Sequence, residues 1–244
     1  MEKIANSLLD NELCKCNFLP RVRKHLKTEV FRCSLKLSAL VFIVLFLIAP
    51  SKTYSQNSGR EGNFEWRLRD DGVEITRYNG SVFEVTIPNR INGKPVIAIG
   101  EKAFAFQGLT SVTIPDSVTR IGNAAFRGNS LASVNIPRGV IEISVRAFAD
   151  NKLTGISIPG GVTQIEYGVF ENNKLTSVNI PNSVTIILEN AFYGNLLTSV
   201  TIPNSVRQIR YGAFRQNQLT NVVLPNSIKN LDNEAFDRNV RITR

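Results

Sequence analysis

The chain has 244 residues, 43% of them hydrophobic, enough for a sizeable core, and a formal net charge of +9. Residues 1–55 hold nine basic and four acidic side chains, the remainder twenty and sixteen, so most of the chain is only mildly basic and nucleic acid is not an expected partner. Cys14, Cys16, Cys33 and the single histidine, His25, also fall within residues 1–55; beyond them disulfides, Cys/His zinc sites and imidazole-dependent nucleophiles are excluded.

Residues 37–49 form an uncharged apolar run preceded by Arg21, Arg23, Lys24, Lys27, Arg32 and Lys36. Basic then apolar is the order of a secretory signal. The run falls short of the about 20 residues that span a bilayer, and Pro50 closes it. Thr53-Tyr54-Ser55 offers a cleavage site that leaves Gln56 first in the exported form. Contact with a membrane is expected only through this segment, if it stays uncleaved. The basic lead-in is long for a signal, and the first ~30 residues read as a start-site artefact. Residues 56–62, Gln-Asn-Ser-Gly-Arg-Glu-Gly, read as a linker.

Residues 63–93 predict an antiparallel β cap. Phe64, Trp66 and Leu68 alternate, followed by Val73 and Ile75, then by Val82, Val85 and Ile87. Asp71-Gly72 and Asn79-Gly80 separate these runs and favour hairpin turns. Such a cap, with Trp66 packed over the first coil, covers an edge that would otherwise pair with another chain.

Residues 94–244 are a tandem repeat. An apolar-Pro pair recurs at Ile114-Pro115, Ile136-Pro137, Ile158-Pro159, Ile180-Pro181, Ile202-Pro203 and Leu224-Pro225, 22 residues apart each time. Before each proline stands L-x-x-[VI]-x-[IL], as in Leu109, Val112 and Ile114, which reads as one buried strand face that proline ends. A second apolar pair follows at spacing three, as in Val118 and Ile121, and then Phe104, Phe126, Phe148, Phe170, Phe192, Phe214 and Phe236. The residue before each phenylalanine is alanine, except Val169. Three residues after the later phenylalanines stand Asn129, Asn151, Asn173, Asn195, Asn217 and Asn239. Stacked coils bury what no single repeat can bury alone. The phenylalanines then form a core spine, and the asparagines a structural ladder that satisfies backbone groups of neighbouring turns.

The segment Leu109-Thr-Ser-Val-Thr-Ile-Pro-Asp-Ser-Val-Thr-Arg-Ile-Gly-Asn-Ala-Ala-Phe126 resembles the BspA-type leucine-rich repeats of bacterial surface proteins, and the resemblance covers about residues 81–240. It implies a leucine-rich-repeat solenoid: a right-handed β/α superhelix, mainly parallel β with short helical turns. It also implies adhesion to host matrix or to other bacteria, or protein binding more generally. The position that often carries cysteine after the phenylalanine holds asparagine here. No catalytic residue belongs to the family pattern.

The expected function follows: an exported, non-catalytic module, secreted or at the cell surface with the periplasm as the other destination. It is expected to act as a monomer on a protein or glycan partner, without cofactor or metal. Exposed strand positions such as Thr110, Ser111 and Thr113 are short hydroxyls that any solvated strand tolerates. Residues that break the repeat are the better candidates. The column eight residues after proline reads Asn123, Val145, Tyr167, Glu189, Tyr211, Asn233. Ile186, Leu188 and Tyr193 replace residues that are mostly polar elsewhere, and Arg210 adds charge. Tyr167, Tyr193, Tyr211, Arg210, Ile186 and Leu188 are therefore the candidate partner-binding residues, since exposed aromatics are enriched in interface hot spots. Two alternatives stand beside this one. One is a self-associating structural spacer or surface-layer component. The more remote is a carboxylate-based glycan hydrolase, for which Glu142, Glu166 and Glu189 offer no evident pair.

Overall fold

The computed structural model describes residues 57–244; the apolar segment, the cleavage site, the cysteines and His25 lie outside the described residues. The described part is a parallel-strand β-solenoid of about eight turns. It opens with β1 (Ser58–Glu61), β2 (Phe64–Arg69), β3 (Gly72–Tyr78), β4 (Glu84–Thr86), β5 (Arg90–Ile91) and β6 (Lys94–Ile99). The repeats supply β7 (Ser111–Thr113), β8 (Arg120–Ile121), β9 (Glu142–Ile143), β10 (Gly155–Ser157), β11 (Gln164–Ile165), β12 (Ser177–Asn179), β13 (Ile186–Ile187), β14 (Gln208–Ile209), β15 (Asn221–Val223), β16 (Asn230–Leu231) and β17 (Arg241–Thr243).

β1, β2 and β3 form the antiparallel meander, with Asp70-Asp71 rather than Asp71-Gly72 as its second turn. Residues 58–61 are thus a strand and not a linker. β1 is largely exposed and pairs through its backbone, so its side chains carry no apolar alternation to read. Gly59 lies opposite Trp66, where a Cβ would stand 2.8 Å from the indole. The missing side chain lets β1 cross the ring and bury Trp66.

The cap is not a separate lid. β3 pairs in parallel with β6, and the amide of Tyr78 donates to the carbonyl of Ala103 at 2.8 Å just as Phe104 donates to Ala125. Tyr78 therefore occupies the phenylalanine position of a zeroth coil. Asn79-Gly80 makes no hairpin, because β4 pairs in parallel with β7 and is already a coil strand; the solenoid begins inside the segment assigned to the cap. Between Pro88 and Val96 lies the β5–β6 hairpin, whose Asn92-Gly93 turn has positive φ at both residues, as a two-residue turn of matching twist requires.

Two sheets line the solenoid. The L-x-x-V-x-I strands form three two-stranded patches, β4–β7, β10–β12 and β15–β17, while residues 133–135 and 199–201 keep the burial pattern without joining a ladder. The other sheet is the more continuous. Its members β6, β8 and β9, then β11, β13, β14 and β16, are built on the second apolar pair, which the sequence presents only as a spacing of three. Its register advances by whole repeats, Gln164 to Ile186 to Gln208 to Asn230. The expected short helical turns are absent: among the described residues no helix occurs, and each coil closes through tight turns such as Ala125 to Gly122 and Arg127 to Ala124.

The six ring pairs from Phe104 to Phe236 stack at 5.2–5.9 Å with planes within 17°. Tyr78 extends the stack at 5.4 Å. Offset aromatic pairs add about 0.5–1.5 kcal/mol each beyond the area they bury. The residue before each phenylalanine is fully buried, and its carbonyl accepts from the amide of the ring residue on the preceding coil, which is why it stays small.

Candidate functional site

The asparagine column faces inward. Asn173 is typical: its amide nitrogen donates to the carbonyls of Phe148 at 2.9 Å and Phe170 at 3.2 Å, and its oxygen accepts from the amide of Leu153 at 3.1 Å. Asn129, Asn151, Asn195 and Asn217 make the same three kinds of bond. Asn239 does not. It is exposed and makes none of these bonds among the described residues. The last strand returns early, Asn221 facing Arg241 where Gly155 faces Ser177, so residue 239 overshoots the ladder by two. Asp237 stands in its place, accepting from the amides of Gln216 and Asn217.

Five of the six candidate partner-binding residues lie on the outer face of the second sheet and the corner it runs into. Ile186 sits in β13 between Gln164 and Gln208, half-buried and outward, while Ile187 beside it is buried. Leu188 and Arg210 follow on successive coils of one column, their amides donating to Ile165 and Ile187. Tyr167 and Tyr211 share the next column two coils apart, about 10 Å by strand spacing, with Glu189 between them. Tyr193 lies past the corner in the column of Glu171 and Arg215. Its ring reaches 3.9 Å from the Cβ position of Gly212, the neighbour of Tyr211.

Two of the three tyrosines are held in place by arginines. The Arg146 guanidinium lies 5.0 Å from the Tyr167 ring centre and donates to its hydroxyl at 3.3 Å and to Glu171 at 3.2 Å. Arg215 lies 5.7 Å from the Tyr211 ring, donating to its hydroxyl at 3.1 Å and to Glu234 at 2.6 Å. Arg215 is thus committed to its own chain. These contacts restrict ring rotation, and each is worth about 0.5–1 kcal/mol at exposed sites.

A second departure from the repeat lies at the other end. Val82, Phe83 and Phe106 are 55, 60 and 68% exposed. Phe83 packs over Gly108, Phe106 over Gly128, and Arg127 stands 5.7 Å from the Phe106 ring while pairing with Asp150. Phe106 occupies the column of Gly128, Asp150, Asn172, Gly194 and Gln216, all with positive φ. That column was the signal that could have revealed it. Burial pushes the Asp150 carboxyl up, but hydrogen bonds from Asn172 and Arg127 outweigh it and hold the group below its ordinary range.

Glu74 is the one buried carboxylate among the described residues. Burial pushes it up, yet its bonds to Arg67, at 2.7 Å, and to Arg69 prevail and keep it below the usual range. It ties β2 to β3. Open hollows of about 380–490 Å³ lie along the surface; one of them is lined by Asp116, Asn135, Ile136, Pro137, Arg138 and Gly139. Among the described residues no group of three or more His, Cys, Asp or Glu is placed to hold a metal ion. Glu142, Glu166 and Glu189 stand on successive coils in three different columns.

Six copies of the family described as BspA type leucine rich repeat region match the sequence, over residues 97–214 and 163–244. The chain belongs to this BspA-type leucine-rich-repeat family. Solved structures of the same kind include a leucine rich repeat protein of Treponema pallidum, 29% identical over 75% of this chain and 85% of that one, TM-score 0.48. A leucine rich cell surface protein from Faecalibacterium prausnitzii is 23% identical, covering 77% of this chain and 76% of that one, TM-score 0.54. The pneumococcal vaccine antigen PcpA is 17% identical over 77% and 49%, TM-score 0.50. Among curated proteins, none matches the sequence. In the BspA-type solenoid the leucine, phenylalanine and proline columns are scaffold, and such a scaffold is typically one for binding rather than catalysis. What distinguishes this member is therefore the set of side chains that leave the pattern.

Proposed function

We propose that this protein is an exported surface module that binds a protein partner through the corner built by Tyr167, Ile186, Leu188, Tyr193, Arg210 and Tyr211. One observation carries the reading. Six side chains that break the repeat between Tyr167 and Tyr211 lie together on one outer face and the corner beside it, and two of the three tyrosines are braced by arginines. Rigid aromatic side chains lose little freedom on contact and supply large contact area. Family membership and the surface location named for the Faecalibacterium neighbour support export to the cell exterior.

The test uses the purified full chain, fluorescently labelled, on intact bacterial cells and on immobilised extracellular-matrix proteins. Replacing Tyr167 and Tyr211 together by alanine is expected to lower binding by about tenfold or more, with far-UV circular dichroism unchanged. Undiminished binding by the double variant would remove the corner from consideration. Concentration-dependent assembly without binding to either surface would support a self-associating spacer instead. Protease treatment of intact producer cells checks location: protection of the protein would exclude a surface role.

A further inference from the structure

Charge is not shared evenly along the solenoid. Residues 57–203 carry thirteen basic and thirteen acidic side chains, whereas residues 204–244 carry seven basic and three acidic. The whole positive excess of the described residues thus sits in the final two coils. Within it Arg207 and Lys229 are neighbours: the amide of Lys229 donates to the carbonyl of Arg207 at 2.9 Å, and both residues are exposed. Preceding coils hold Thr119, Ile141, Thr163 and Thr185 at this position, so the fold has no need of a cation there. Like charges one strand spacing apart, about 5 Å, repel and cost stability. The adjoining column on these two coils carries Gln208 and Asn230. The nearest acid in this register, Asp232, lies across the Ile209–Leu231 column, beside Arg210.

We infer that Arg207 and Lys229 extend the tyrosine corner into a docking surface for an acidic polypeptide segment. The inference rests on the interaction reading above and gives its partner a chemistry. Carboxylates answer the two cations. Apolar side chains spaced among those carboxylates cover Ile186 and Leu188 on the coil before, and the ring of Tyr211, which is 47% exposed. A polyanion without apolar groups, whether glycan sulfate or lipid headgroup, leaves those three side chains uncovered. Long-range attraction from an unbalanced patch also speeds encounter with an acidic partner, and salt weakens that attraction.

The probe is a synthetic peptide of alternating glutamate and leucine, titrated into the full chain, with heparin and phosphatidylglycerol vesicles as the competing polyanions. The peptide is expected to bind. The double reversal Arg207→Glu with Lys229→Glu is expected to weaken it by about tenfold or more, with unchanged circular dichroism. Arg138→Glu, at an exposed position in the neutral part of the chain, leaves binding as it was. Binding also falls as ionic strength rises from about 0.01 M to about 1 M, over which screening shortens from about 30 Å to about 3 Å. Equal affinity of the double reversal overturns the inference, as does a lysine–leucine peptide that binds as well. Heparin or vesicles binding more tightly than the peptide overturns the polypeptide assignment. Cell binding separates the two levels of failure. If the Tyr167 and Tyr211 variant loses it while the charge reversal keeps it, the acidic partner is wrong and the corner stands. If neither variant loses it, the corner itself is wrong.

Discussion

Asn173 shows what a single residue does in this architecture. Three bonds from one side chain join the carbonyls of two coils and the amide of a third segment. Asn173→Ala leaves those backbone groups unpaired in a buried site, at about 1–3 kcal/mol each before relaxation, so a net loss of about 2–4 kcal/mol in urea denaturation is expected. Asn239→Ala, from the same sequence column, is expected to change stability by no more than about 0.5 kcal/mol, because the residue is exposed. Glu74 works through charge instead. Glu74→Gln keeps the shape but loses the charge-assisted bonds to Arg67 and Arg69, and is expected to cost about 1–3 kcal/mol at neutral pH. The folded-state carboxyl titrates below its unfolded value. Its contribution is therefore complete above the unfolded range near pH 4.3 and fades as pH falls through the lower folded value. Unfolding midpoints of wild type and variant should converge in acid; a gap that stays constant at low pH would show that the carboxylate charge plays no part.

At the scale of the element, each turn around the six phenylalanines from Phe104 to Phe214 contains two left-handed residues, two before it and two after. The pairs are Lys102 and Phe106, Ala124 and Gly128, Arg146 and Asp150, Gly168 and Asn172, Asn190 and Gly194, Gly212 and Gln216. Glycine fills one member in four of the six pairs, and elsewhere a side chain bears the left-handed strain of about 1–2 kcal/mol. Ala124 makes no side-chain polar contact and is nearly buried. Ala124→Gly is thus expected to raise stability by about 0.5–1 kcal/mol, measured as a higher thermal midpoint; a lower midpoint would mean that the lost methyl packing outweighs the strain. Arg146 carries the same strain while holding Tyr167 and Glu171, so strain is retained where a side chain braces the candidate surface. The sequence showed glycine at some of these positions, yet the alternation between the two members of each pair hid the rule. Only the backbone angles show that both members are left-handed. Phe106 stands two residues from a core phenylalanine and looks like core, although its column holds Gly128, Asp150, Asn172, Gly194 and Gln216 on the following coils.

At the scale of the whole molecule, stability is close to a sum over neighbouring coils. Phe170 stacks on Phe148 and Phe192. Phe170→Ala is expected to cost about 3–5 kcal/mol, and hydrogen exchange should quicken in the coils of Phe148 and Phe192 well before that of Phe104. Uniform quickening along residues 57–244 would point to a single cooperative unit instead. The cap belongs to this chain of neighbours. Tyr78 stacks on Phe104, so disturbance of the cap should reach the first coil through the ring stack.

The sequence by itself determined the repeat, its period, the leucine, phenylalanine and asparagine columns and the family. Each of those is a demand of the buried interior, where a 22-residue coil meets the same neighbours at every turn and leaves the same residue type behind. It also singled out Tyr167, Tyr193 and Tyr211, because departures are visible once the rule is known. Tertiary structure alone decided the rest. β1 was unreadable because an exposed edge strand pairs by backbone and imposes no apolar alternation. The second sheet was unreadable because its strands, β6 apart, are two residues long, too short for a period. Asn239 left the ladder because the final strand returns early, a register set by packing against β15 and not by the column of letters. The bracing of Tyr167 by Arg146, the pairing of Arg215 with Glu234 and the adjacency of Arg207 and Lys229 join residues on successive coils, and only stacking brings them within reach.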